Sequence, residues 1–207
     1  GLDRAVERVV RYRFEAAGFR GPEVDPDVVR PISDDVRRAV RAARTAGDET
    51  AREKLIRERL RRQGDDRAMH RDLQAWWLRT MIEAADPLRE KLTLLWHGHF
   101  ATRHKSVKDA YLMYRQNALF REHGRRFDTL ARGIVRDPAM LIFLNNDRNN
   151  KRRPNENLAR ELMELFTLGQ GHYTEGDIRE GARALTGYHV DDNDFTLSRH
   201  AHDGGTK

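Results

Sequence analysis

Three groups of side chains in the 207-residue sequence are of types that do chemistry. The first is His97-Gly98-His99. On one continuous helix, residues two apart are turned about 160° from each other, so these imidazoles share a metal ion only if Gly98 interrupts the helix. Otherwise His99 is a hydrogen-bonded core histidine, in the middle of a face made by Leu88, Leu92, Leu95, Trp96 and Phe100, and His97 is a surface one. The second group is Arg160-Glu161. Glu156, Arg160 and Glu164 are spaced i, i+4, i+8, the layout of an intrahelical ion-pair ladder. Glu161 instead borders the apolar stripe of Leu158 and Leu165, where a carboxylate needs an Arg, a His or a cation because isolated charge is costly to bury. It reads either as half of a buried ion pair or as a general acid, a general base or a metal ligand. The third group is His200, His202 and Asp203. Along an extended segment both imidazoles project to one side next to the carboxylate, a ligand set suited to Zn, Mn or Fe; a loop rich in His and Gly is equally an irregular tail.

Other chemistries are excluded or weakly supported. The chain has no cysteine, which removes disulfides, thiolate nucleophiles and cysteine-based zinc fingers. There is no G-x-x-x-x-G-K-[ST] phosphate loop, no G-x-G-x-x-G and no G-x-S-x-G elbow. Asp191, Asp192 and Asp194 lack the Gly and terminal Glu of a helix-loop-helix calcium site. The net charge of +6 suggests a nucleic-acid surface, but most Arg residues stand within four positions of an Asp or Glu, as solvated helix faces do. The basic loop from Arg148 to Arg153 could hold an anion or a polynucleotide backbone, but no aromatic residues are interleaved to stack bases, so specific single-strand recognition is poorly supported. Nucleic acid is therefore the least expected of the partner classes. No apolar run approaches the ~18 residues of a membrane-spanning helix.

The elements that must position these side chains are helices. Apolar residues recur at helical spacing almost throughout, and the breaks carry capping chemistry. Leu2 to Phe14 forms one stripe closed by Gly18; Asp25-Pro26 and Ser33-Asp34-Asp35 start the next two helices, the latter running to Gly47. Residues 48–63, dominated by Arg and Glu, predict a lightly packed segment, and residues 65–85, with Trp76 and Trp77, a central helix. Asp86-Pro87, a Ser106/Asp109 capping box, Asp137-Pro138, Pro154-Asn155 and a Thr174/Asp177 box start the others. Asn145 to Arg153 predicts an exposed loop. Tyr188 to Val190 and Phe195 to Ser198 predict a small hairpin, followed by a tail without periodicity. The expected architecture is all-α: one domain over 1–207, with nine or ten helices and an irregular C-terminal tail.

Several ordered blocks resemble a large bacterial family, domain of unknown function eighteen hundred. They are Pro87 to Lys91, Leu95 to Phe100, Asp137 to Leu141, Pro154 to Asn157 with Ala159 to Gly169, Tyr173 to Glu175, Ala182 to Gly187 and His202 to Lys207. Gly98 and Tyr188 depart from its pattern, standing where the family has Asn and Trp. The resemblance implies a bacterial protein, exported to the periplasm or cell surface, encoded beside a sulfatase-like partner, with no established activity. It also implies that this chain corresponds to the N-terminal portion of a longer domain.

Three function classes follow. In the first, His99, Glu161 and Arg160 form the catalytic part, and His97, His202 and Asp203 the metal-binding part, of a metal-assisted hydrolase using a divalent cation. In the second, the motifs are structural and the protein is a non-catalytic assembly or surface-binding module. Nonspecific nucleic-acid binding is the third. The test that separates the first two is whether His99, Glu161, His202 and Asp203 converge on one pocket.

Overall fold

Short polar side chains set the borders of most elements. In the computed structural model, which describes residues 34–206, the backbone N–H of Ala51 donates to Asp48, that of Arg89 to Asp86, that of Leu112 to Asp109 and that of Met140 to Asp137. Thr174 and Asp177 complete a reciprocal capping box. Nine α-helices result among the described residues: α1 (Asp34–Thr45), α2 (Glu49–Glu83), α3 (Pro87–His99), α4 (His104–Val107), α5 (Ala110–His123), α6 (Phe127–Ile134), α7 (Pro138–Phe143), α8 (Asn157–Glu161) and α9 (Glu175–Ala184). A π-helical stretch, Leu162–Thr167, continues α8. Two short strands, β1 (Tyr188–Asp191) and β2 (Asp194–Leu197), pair antiparallel with Tyr188 opposite Leu197. Asp192 and Asn193, both at positive φ, make the two-residue turn that the right-handed strand twist favours. The fold is all-α with one hairpin, as the periodicity implies, and no helix among the described residues is long and apolar enough to cross a membrane.

The expected helices before residue 33 lie outside the described residues. Elsewhere four expectations are corrected. Residues 48–63 and 65–85 are not separate: α2 runs through Gly64 without a break, with the Arg61–Asp65 pair spanning it and the Arg62–Glu58 pair in the turn before it. Ser106 does not cap α5. It lies inside α4, which ends where Lys108 turns left-handed (φ +58°), and Asp109 caps the restart. The 145–153 loop is only partly exposed, since Asn146 and Asn149 are buried. Finally, α3 does not bury the face its leucines suggest. Of the expected face Phe100 is buried but Leu95 is 57% exposed, whereas Glu90 and Thr93 point inward.

The core lies in the C-terminal two thirds. Phe100, Phe120, Leu130, Ile134, Met140, Leu141, Leu158, Ile178 and Ala182 are almost or wholly inaccessible and form one cluster. The N-terminal half of α2 packs lightly, as expected, leaving Ile56 and Leu60 largely exposed. Its C-terminal half is anchored by polar contacts: Trp77 donates its indole N–H to Glu90, and Arg121 of α5 grips both oxygens of Glu90.

Candidate functional site

The helix α3 is uninterrupted at Gly98, so its two histidines face different neighbours. His97 is partly buried. It packs on Trp77 and Phe120 at centroid distances of 4.7 and 4.6 Å, and its Nε2 accepts from the Asn117 amide at 3.0 Å. Burial pushes its pKa down to about 4, so it is neutral near pH 7. The expectation of a surface His97 is thus corrected. His99 is edged by Trp96, Phe100, Phe127 and Phe166, and its Nε2–H donates to the Phe166 carbonyl at 3.0 Å. That carbonyl belongs to the π-helical stretch, which links the two family blocks in space.

Arg160 is held by acids on two elements. Its guanidinium forks onto both oxygens of Glu175, at the start of α9, at 2.9 and 2.8 Å, and also donates to Glu156 at 3.1 Å. Only the first half of the expected ladder forms, because Glu164 instead accepts from Gln170 at 2.8 Å. Glu161, at the last turn of α8, is partly buried. No ion pair or side-chain hydrogen bond joins it to another described residue, so the buried salt bridge expected there does not form.

His202 and Asp203 lie around α9 and the residues after it. The Nδ1–H of His202 donates to the Thr186 carbonyl at 2.7 Å, while the Thr186 hydroxyl accepts from the Asp203 N–H at 2.8 Å. Asp203 closes a ring by pairing with Arg183 Nε at 2.9 Å and accepting from the Gly205 N–H. Gly187, between these partners, has φ +78°, and a Cβ there would lie 2.6 Å from the Ser198 carbonyl oxygen and 2.9 Å from the His202 nitrogen. Only glycine fits. The same knot takes in the asparagine loop: Asn149 donates to Asn146 and to the Ala182 carbonyl, Asn146 donates to the Leu185 carbonyl, and the Gly187 N–H donates to the Asn149 carbonyl at 2.9 Å.

Compared with known families, residues 4–207 match the model of the family described as "Protein of unknown function (DUF1800)". The chain belongs to this family. No curated protein and no solved structure matches it. The blocks by which the DUF1800 chain was recognisable are those that meet here: Ala182 to Gly187 with His202 to Gly205, and Ala159 to Phe166 with His99. Gly181 packs on the same Ala159 to Phe166 block, since a Cβ on it would sit 3.0 Å from Met163 and 3.3 Å from Ala159.

Of the six expected site residues, His99, His97, Arg160, His202 and Asp203 each have ordinary protein partners, and Glu161 has none among the described residues. Among the described residues no hydrogen bond or ion pair joins His99 to His202 or Asp203. Among the described residues no three His, Asp or Glu side chains are grouped to hold a metal ion. Reading the sequence missed Thr186, Arg183, Asn146 and Asn149, whose roles come from partners 17 to 39 positions away. It also missed a buried acid and imidazole pair. Asp66 accepts from His104 at 2.8 Å and from the Ala110 N–H at 2.7 Å, and the His70 ring stacks on His104 at 3.9 Å. The i, i+4 spacing of Asp66 and His70 on a helical face was the one signal available for it.

Proposed function

We propose that residues 1–207 act as one non-catalytic helical module for assembly or surface binding, the N-terminal portion of a longer DUF1800 domain, and that its motifs lock elements together. The observation that supports this reading best is the ring of Thr186, His202, Asp203 and Arg183 around Gly187, in which the Thr186 carbonyl and hydroxyl, the Asp203 carboxylate, the Arg183 guanidinium and the Nδ1 of His202 are engaged by one another. Residues kept for a reaction are ordinarily left with an atom to offer.

A metal-assisted hydrolase is the second reading. One observation favours it: the partly buried Glu161 carboxylate has no partner among the described residues. The two readings separate in one set of measurements on purified protein. The module reading expects Gly187→Ala to lower the melting temperature, through a strain and clash cost of about 1–3 kcal/mol. It expects Glu161→Gln to leave the melting temperature unchanged and metal analysis to find no stoichiometric metal. A stoichiometric divalent metal that His202→Ala removes would transfer the assignment to the hydrolase.

A further inference from the structure

Several described arginines pair with acids on their own helix, and one exposed turn gathers cations with few such pairs. On α2, Arg52, Arg57, Arg61 and Arg62 all reach acids one helical turn away. The loop after α7 is built otherwise. Asn150 accepts from the N–H groups of Arg152 and Arg153 at 3.1 and 3.2 Å and donates to the Arg148 carbonyl, which folds the segment into a tight turn. The N–H of Lys151 then donates to the Ala201 carbonyl at 2.8 Å, which lays the turn against the segment carrying Arg199 and His200. Arg148, Lys151, Arg152, Arg153 and Arg199 are all exposed. Of these five cations only Arg148 has a carboxylate within 4 Å among the described residues, Asp147 at 3.8 Å. Asp203, the nearest acid along the second segment, is engaged by Arg183.

We infer that this ridge is a binding surface for the phosphodiester backbone of nucleic acid, read without sequence. The inference rests on the module reading only in treating the region as a binding surface. The turn is fixed by backbone bonds at the rim of the Thr186 knot, so the cations are presented without the ordering cost of a loose loop. Guanidinium forks match phosphate oxygens two at a time. The turn carries no aromatic residue, so it has neither a platform for bases or sugar rings nor the apolar anchors that dominate protein interfaces. Charge alone suffices for backbone contact, the term that dominates nonspecific binding to DNA.

The test is fluorescence anisotropy of a labelled DNA duplex with the full chain across a salt series. Each phosphate neutralised contributes roughly −0.9 to the slope of log affinity against log salt, so a ridge of this size gives about −3 to −4. The variant Lys151→Glu/Arg152→Glu/Arg153→Glu/Arg199→Glu should bind at least ~10-fold more weakly with a shallower slope, and should melt like the parent because these side chains are exposed. A flat salt dependence, or equal binding by the melted-alike variant, overturns the inference. Tighter retention on dextran sulfate or on phosphatidylserine vesicles at the same salt overturns the nucleic-acid assignment. None of these failures touches the melting and metal measurements on which the module reading stands.

Discussion

Burial of the His97 ring between Trp77 and Phe120 gives the fold a proton-linked term of known sign. Its pKa is pushed down to about 4 from the ordinary value near 6.5, so below that value the unfolded chain takes up a proton that the folded chain refuses. This part of the stability is complete above about pH 6.5 and is lost as the pH falls toward 4. Two carboxyls act in the opposite sense. Burial pushes Asp137 and Asp109 up to about 6, so the folded chain holds their protons more tightly and gains relative stability on acidification. The total curve is a sum of opposed parts, and a paired comparison isolates one of them. The stability gap between the parent and His97→Gln in urea unfolding should shrink by about 2 kcal/mol between pH 7 and pH 5. A gap that is constant with pH would show that His97 is not held neutral by the fold. Reading the sequence placed His99 against the apolar residues, where it makes its hydrogen bond to Phe166, but put His97 at the surface, because no local pattern records that Trp77 and Phe120 cover it.

At the scale of elements, capping chemistry was legible and its register was not always so. Asp86, Asp137 and the Thr174/Asp177 pair cap the helices their positions announce. At the start of α5 the choice between Ser106 and Asp109 turned on a left-handed residue, Lys108, that nothing in its side chain demands. The consequence is measurable: Asp109→Ala should cost about 1–2 kcal/mol as a lost N-cap, whereas Ser106→Ala should stay within roughly 0.5 kcal/mol. Equal losses would contradict this cap assignment. Gly64 offers a second check. It sits in the interior of α2 with nothing within 4 Å of where a Cβ would be, so Gly64→Ala should stabilise the protein by about 0.5–1 kcal/mol, read as a higher melting temperature. A lower one would show that α2 bends or breaks there.

Across the whole molecule, the family blocks acquire a common purpose only when the chain is folded. Ala182 to Gly187 and His202 to Gly205 are separated in sequence but share the Thr186 carbonyl, the Thr186 hydroxyl and the Arg183 guanidinium. Deleting residues 199–207 removes those three contacts together and should lower the melting temperature at least as far as Gly187→Ala does; an unchanged melt would show that the knot contributes little. What the sequence settled without help is what short-range physics controls. Helical periodicity, side chains that bond a backbone group three positions on, and a turn whose residues tolerate positive φ all act within one turn of chain, so the helices and the hairpin were readable. Which face of α3 is buried, that Asn146 and Asn149 go inside, and that His99 and His202 serve different neighbourhoods were decided only by tertiary packing. Each of those outcomes depends on donors, acceptors and apolar surfaces tens of residues away, and a one-dimensional pattern carries no record of which distant element will satisfy them.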